Sequence, residues 1–141
     1  MSRDEREAFL ADRHVGVLSV SRPGRAPLTV PVWYSYEPGG LVSVVTDAAS
    51  RKATLIEAEQ RFSLCAQTET APYQYVTVEG PVVARDDPVD PAERRALAVR
   101  YLGEELGDLY VAATDADAAS SIVLRMRPEH WLSVDYSKQF G

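Results

Sequence analysis

The densest group of chemistry-bearing side chains is the segment Thr46-Asp47-Ala48-Ala49-Ser50-Arg51-Lys52. It sets hydroxyls, a guanidinium and an ammonium where a strand-like pattern gives way to a helix-like one. The first backbone N–H groups of a helix have no partners and the macrodipole there is positive, so an anion is stabilised at that point. Arg51 offers a phosphate a bidentate fork, and Lys52 adds a point charge. Cations at a helix start also oppose its dipole. The pair therefore reads either as an anion site, where a bound charge offsets that placement, or as two solvated side chains.

A second candidate is Val30-Pro31-Val32-Trp33-Tyr34. Proline removes a ladder donor, so Pro31 is expected at a sheet edge or bulge. The main chain there could face a ligand, with Trp33 or Tyr34 as a flat wall; equally, the aromatics could be ordinary core. A third is Tyr73-Gln74-Tyr75 leading into Val76-Thr77, a strand whose mouth carries aromatic rings. Other catalytic side chains are scarce. His14 and His130 lie far apart with no cluster around either, and neither HxxxH, CxxC nor GxSxG occurs. Cys65, in the alternating run FSLCAQ, reads as a small buried hydrophobe. No side chain is expected to act as an indispensable acid, base or nucleophile, and no metal site is expected.

These groups need a scaffold. Ser2 and Glu5 form a capping-box pattern, predicting a helix over Arg3–Asp12. Period-two alternation predicts strands at His14–Ser21, Leu28–Tyr36 and Leu41–Thr46, separated by Pro/Gly turns. In the second, Leu28, Val30, Val32, Tyr34 and Tyr36 share one face. A helix is predicted over Ala49–Gln60 with Ser50 as N-cap, then strands at Arg61–Thr68 and Gln74–Ala84. Asp90-Pro91 opens a long helix reaching Leu109, which Gly103 and Gly107 break or tighten. Ala112–Ser120 reads as a mobile loop, and a final strand pair as Ser121–Met126 and Trp131–Tyr136. Six or seven strands with few helices predict a mostly β fold, an antiparallel split barrel, rather than a doubly wound α/β sheet. One domain is expected over 1–141.

Composition narrows function further. The chain has 45% hydrophobic and 26% charged residues, an ordinary globular balance. A net charge of −6 leaves no excess cations for nucleic acid or an anionic membrane. The acids concentrate between Arg85 and Asp117, leaving the remainder nearly neutral and compatible with a small anion. No apolar stretch follows the opening MSRDERE, so a signal peptide is not expected and a cytoplasmic location is.

In order and spacing, PLTVPVWYSYE, VVTDAASRKATLI and YQYVTVEGPVV resemble the pyridoxamine 5′-phosphate oxidase-like split β-barrel superfamily, most of all its flavin/deazaflavin oxidoreductases of class B, which use coenzyme F420. The resemblance implies that Val30, Pro31, Val32, Trp33 and Tyr34 lie along the coenzyme ring. It implies that Thr46, Ser50, Arg51 and Lys52 hold its phosphate, and that Tyr75, Val76 and Thr77 approach it. It further implies a homodimer with the cofactor between subunits, Trp131 and Tyr136 reaching in from the partner. The implied activity is hydride transfer from reduced F420 to a small organic acceptor such as an enone, quinone or tetrapyrrole. An FMN-dependent oxidoreductase, or a non-catalytic flavin, deazaflavin or haem binder, is the alternative. The additional arginine motifs of the oxidases that convert pyridoxamine phosphate are not seen, so that conversion is not expected.

Overall fold

The computed structural model describes residues 1–139. The elements run α1 (Arg3–Ala11), β1 (Gly16–Arg22), β2 (Arg25–Val32), β3 (Val42–Asp47), α2 (Arg51–Glu59), β4 (Arg61–Gln67), β5 (Gln74–Asp86), α3 (Pro91–Ala113), a 3₁₀ segment (Asp115–Ser120), β6 (Ser121–Met126), β7 (His130–Asp135) and a last 3₁₀ turn (Tyr136–Gln139). Seven antiparallel strands follow the order β2-β1-β4-β5-β6-β3, with β7 also on β5. β5 makes this possible by its length: its first half pairs with β4 and β7, and from Val82 on it pairs with β6, with a register shift between Val82 and Ala84. A single bridge between Ser35 and Ser43 brings the chain beyond β2 back to β3, so the sheet curls into a split barrel.

Period-two patterning puts one face of each strand inside. Leu18, Leu64, Val78 and Trp131 form one cross-strand row on the inner face, in direct register. The first three of these are fully or almost fully buried, and Trp131 packs partly buried against the core. The interior is plugged by Phe9 and Leu10 from α1 and by Ala53 and Ile56 from α2. Each buried aliphatic side chain contributes ~1.5–3 kcal/mol of hydrophobic stabilisation. Leu28, Val30, Val32, Tyr34 and Tyr36 do share the inward face, although regular pairing of β2 stops at Val32. The Tyr34 hydroxyl donates to the Leu10 carbonyl at 2.7 Å, and burial pushes its pKa up. At Gly80 a Cβ would lie 1.8 Å from the Arg127 carbonyl oxygen, so only glycine lets the β6–β7 turn close on β5.

The helix caps form as predicted. Ser2 and Glu5 make the reciprocal capping box, Ser50 caps α2 through Ala53 N–H, and Asp90 caps α3 with Pro91 at its start. α3 is not one straight helix. Gly103 adopts φ 83° and ψ 172°, a region essentially reserved for glycine, and the chain reverses there. Residues 104–113 fold back on 91–102. Arg95 meets Asp108 at 2.7 Å, Arg94 reaches the Thr114 carbonyl at 2.8 Å, and a Cβ on Gly107 would lie 3.0 Å from Val99. The segment read as a mobile loop, Ala112–Ser120, instead finishes α3 and forms the 3₁₀ turns. Its backbone closes on the body through Ala48 N–H donating to the Ser120 carbonyl, and the hydroxyls of Thr114 and Ser120 donate to the Tyr110 carbonyl and the Asp47 carboxylate. Tyr136 likewise belongs to a 3₁₀ turn rather than a strand, and Cys65 is only partly buried because it lies on the outer face. No described helix is long and apolar enough to cross a membrane.

Candidate functional site

A cavity of about 520 Å³ opens where β2 ends, β3 ends and α2 begins, with the α3 hairpin as its far wall. This volume lies in the ~300–1,000 Å³ range of small-molecule sites. Six of the twelve residues singled out above line it: Pro31, Val32, Trp33, Thr46, Ser50 and Lys52. Pro31 is exposed on β2, the outermost strand of the sheet, as its missing N–H requires.

The floor is a hydroxyl pair. Thr46 Oγ1 and Ser50 Oγ lie 2.9 Å apart, and Ser50 Oγ also accepts from Ala53 N–H at 3.2 Å. That cap satisfies the third helical N–H of α2 and leaves the amides of Arg51 and Lys52 at the helix start without a capping side chain. Asp47 does not compete for them. Its carboxylate accepts from Ser120 Oγ at 2.7 Å and from Ala49 N–H at 2.8 Å, and these bonds, the hydroxyl first, hold its pKa below the usual value.

The far wall comes from residues that carried no signal in the sequence: Arg94, Tyr110, Thr114 and Asp117. The Arg94 guanidinium donates to the carbonyls of Thr114 and Val111 and to the Thr114 hydroxyl, and pairs with no carboxylate among the described residues. Lys52 and Arg94 therefore face one space with Asp47 and Asp117, two cations and two acids. Lys52 stands on the side of the uncapped α2 amides, and Arg94 on the opposite wall. Trp33 stacks on Tyr101 with ring centroids 5.0 Å apart and an interplanar angle of 4°, and tilts against Tyr110 at 5.2 Å. Tyr101 is itself fixed, its hydroxyl donating to the His14 carbonyl at 2.7 Å and accepting from Tyr34 N–H at 3.1 Å. The Trp33 plane is thus held by an anchored Tyr101.

The other six residues lie elsewhere. Val30 packs against the core, Tyr34 is fully buried in it, and Arg51 is exposed outside the cavity. Val76 is buried inside the barrel, whereas Tyr75 and Thr77 occupy the outer face of β5. That face is continuous with the cavity's edge. Pro31, Val17, Cys65, Thr77 and Leu132 are successive cross-strand partners on β2, β1, β4, β5 and β7. Neighbouring strands lie ~4.8 Å apart, so Thr77 is ~14 Å from Pro31 along that row. His14 is tied to the Phe9 carbonyl at 3.0 Å, and His130 is exposed beside Glu129.

The architecture recurs in solved structures. An F420 reductase superposes with a TM-score of 0.74 at 23% identity, over 89% of this chain and 94% of that one. A conserved hypothetical protein from Mycobacterium tuberculosis gives 0.77 at 20% identity, over 100% and 89%. A FAD-binding protein from Mesorhizobium loti gives 0.62 at 20%, over 94% and 91%. No curated protein matches the chain. The family model described as pyridoxamine 5′-phosphate oxidase matches residues 2–132, a span that takes in the edge strand, the hydroxyl floor and the far wall alike, and the chain therefore belongs to the pyridoxamine 5′-phosphate oxidase family.

Proposed function

We propose that the protein is an oxidoreductase that binds coenzyme F420 with its phosphate at the start of α2, and passes hydride from the reduced deazaflavin to an enone, quinone or tetrapyrrole-like acceptor. One observation carries the reading: the end of the outermost strand, exposed Pro31 and buried Val32, shares a cavity with a helix start bearing free amides, two hydroxyls and Lys52. The groups fit an organic phosphate joined to a flat ring system. The similarity to an F420 reductase favours the deazaflavin, and the similarity to a FAD-binding protein makes an FMN-type flavin the second reading.

The coenzyme supplies the hydride chemistry, and the protein supplies orientation and exclusion of water. Lys52 and the first amides of α2 hold the phosphate, while Asp47 and Asp117 keep anionic groups to that side. Trp33, fixed by Tyr101, would wall the ring on one side, and hydride transfer would need donor and acceptor ~3–3.5 Å apart. Tyr34 donates no proton to the acceptor, because its hydroxyl is spent on Leu10 inside the barrel. Water or Tyr75 provides it. Tyr75 and Thr77 reach the cleft if a second copy covers the outer sheet face, where Val15, Tyr73 and Leu132 are 54%, 53% and 60% exposed. The working form proposed is thus a homodimer, with a cytoplasmic location.

The test is the absorbance spectrum of the purified protein, followed by titration with F420 and FMN and by sedimentation. Lys52→Ala should weaken coenzyme binding by ~1.5–3 kcal/mol, the scale of a hydrogen bond to a charged group, with no loss of fold. A yellow protein retaining FMN would overturn the choice of cofactor. Unchanged affinity in Lys52→Ala would overturn the phosphate placement. A monomer that still holds the cofactor would overturn the pairing.

A further inference from the structure

A second cavity, about 370 Å³, lies at the other end of β3, between α1, the Gly39-Gly40-Leu41 turn and the β6–β7 turn. Leu41, just before β3, and Thr46, near its end, mark the two cavities, ~17 Å apart at ~3.3 Å per residue. Three guanidiniums line it, Arg3, Arg6 and Arg127, against one carboxylate, Glu7. That is a local excess of positive charge on a chain whose net charge is −6.

The arginines are poorly matched by the protein itself. Arg3 meets Glu7 only at 3.7 Å. Arg127 meets Glu129 at 3.7 Å, and Glu129 already pairs with Arg61 at 3.3 Å and His130 at 3.4 Å. Arg6 lies over the Trp131 ring at 4.8 Å, has no carboxylate partner among the described residues, and its Nε is buried with no hydrogen-bond acceptor. A buried guanidinium N–H without an acceptor is unfavourable, and protein structures rarely leave one. Arg3 also sits at the first position of α1, where the helix dipole opposes a cation. The Glu7 carboxylate is shared, accepting from the Tyr36 hydroxyl at 3.3 Å.

We infer that this mouth of the barrel, formed by Arg3, Arg6 and Arg127 around Trp131, is a binding site for a compact small molecule carrying two or more oxyanion charges, a phosphate ester or a di- or tricarboxylate. Guanidinium forks suit both groups, since each presents paired oxygens at the spacing of two parallel N–H donors. The site does not depend on the cofactor reading, because it shares no lining residue with the first cavity.

The chain contains two tryptophans, and each lines one cavity: Trp33 the first, Trp131 the second. Their indole N–H resonances, assigned with Trp131→Phe, report the two sites separately. Titration of the ¹⁵N-labelled full chain with inorganic phosphate and with citrate, at low salt, should shift the Trp131 signal saturably with at least one probe. Phosphate alone points to a phosphate ester, citrate alone to a polycarboxylate. Arg127→Gln, whose side chain is 60% exposed and so dispensable to the fold, should weaken that binding about fivefold or more, and Arg6→Gln about tenfold. Glu7→Gln, which removes the competing carboxylate, should tighten it. Lys52→Ala should leave the Trp131 response intact whatever it does at Trp33. No saturable Trp131 shift with either probe, or a shift untouched by Arg127→Gln, would overturn the inference and leave the cofactor reading standing.

Discussion

The barrel and the α3 hairpin are built on different principles, and the candidate site lies on the seam between them. The barrel is held by alternating apolar residues from strands distant in sequence, with Leu18, Leu64, Val76 and Val78 essentially removed from water. The hairpin is held by polar contacts: Arg94 on carbonyls, Arg95 on Asp108, and Arg125 of β6 on Glu93 at 2.7 Å. Its returning half leaves Leu106, Leu109 and Tyr110 58%, 60% and 43% exposed. Segments with few buried apolar contacts open at lower free energy than a core. Pro31, Thr46, Ser50 and Lys52 thus stand on the rigid part, and Arg94, Tyr110, Thr114 and Asp117 on the more easily displaced one. The cavity thus has a fixed floor and a wall that opens at lower free energy.

That contrast can be tested by perturbing each part. The largest effect should come from the barrel: Leu64→Ala should cost ~2–5 kcal/mol in chemical denaturation, because a fully buried leucine leaves a cavity its neighbours only partly fill. Gly103→Ala should cost ~1–3 kcal/mol, the scale of forcing a side chain into φ 83°, ψ 172°. It should also loosen hydrogen-exchange protection over 91–120 while the strands keep theirs; uniform loss across the chain would show that hairpin and barrel unfold as one unit. Asp108→Ala should be smallest, barely moving the denaturation midpoint, since the Arg95–Asp108 pair is about half exposed and screened by salt. A larger loss would mean that this ion pair, and not the turn at Gly103, sets the hairpin's position.

Much of this was legible in the amino-acid order, because it depends on neighbours. The Ser2–Glu5 box, the Ser50 cap and the Asp90-Pro91 start each rest on residues one to three apart, and all three form. The strand alternation correctly put Val32, Tyr34 and Tyr36 on one side and Trp33 on the other. It left open which side was the interior, and so which aromatic could meet a ligand. Tertiary structure decided that, since the inward side is whichever one α1 and α2 cover: Tyr34 turns to Leu10, and Trp33 faces the cavity against Tyr101.

The wall of the site was not legible at all. Arg94 and Asp117 lie some forty to seventy residues from Lys52; the first half of α3 carries Arg94 to the cavity, and the reversal at Gly103 returns Tyr110, Thr114 and Asp117 beside it. A glycine in a helical pattern signals a weak point without saying which way the chain leaves it. The bend and its direction come from contacts made after it, those of Gly107 on Val99 and of Asp108 on Arg95. By itself the sequence determined the barrel's strands, the helix caps and the hydroxyl floor at the start of α2, because each follows from short-range periodicity and capping; that Lys52 and not Arg51 faces the cavity was left to the fold. The closing wall, the inward turn of Tyr34 and the gathering of three arginines at the far mouth were decided by the tertiary fold, because each depends on residues that meet only when distant segments pack.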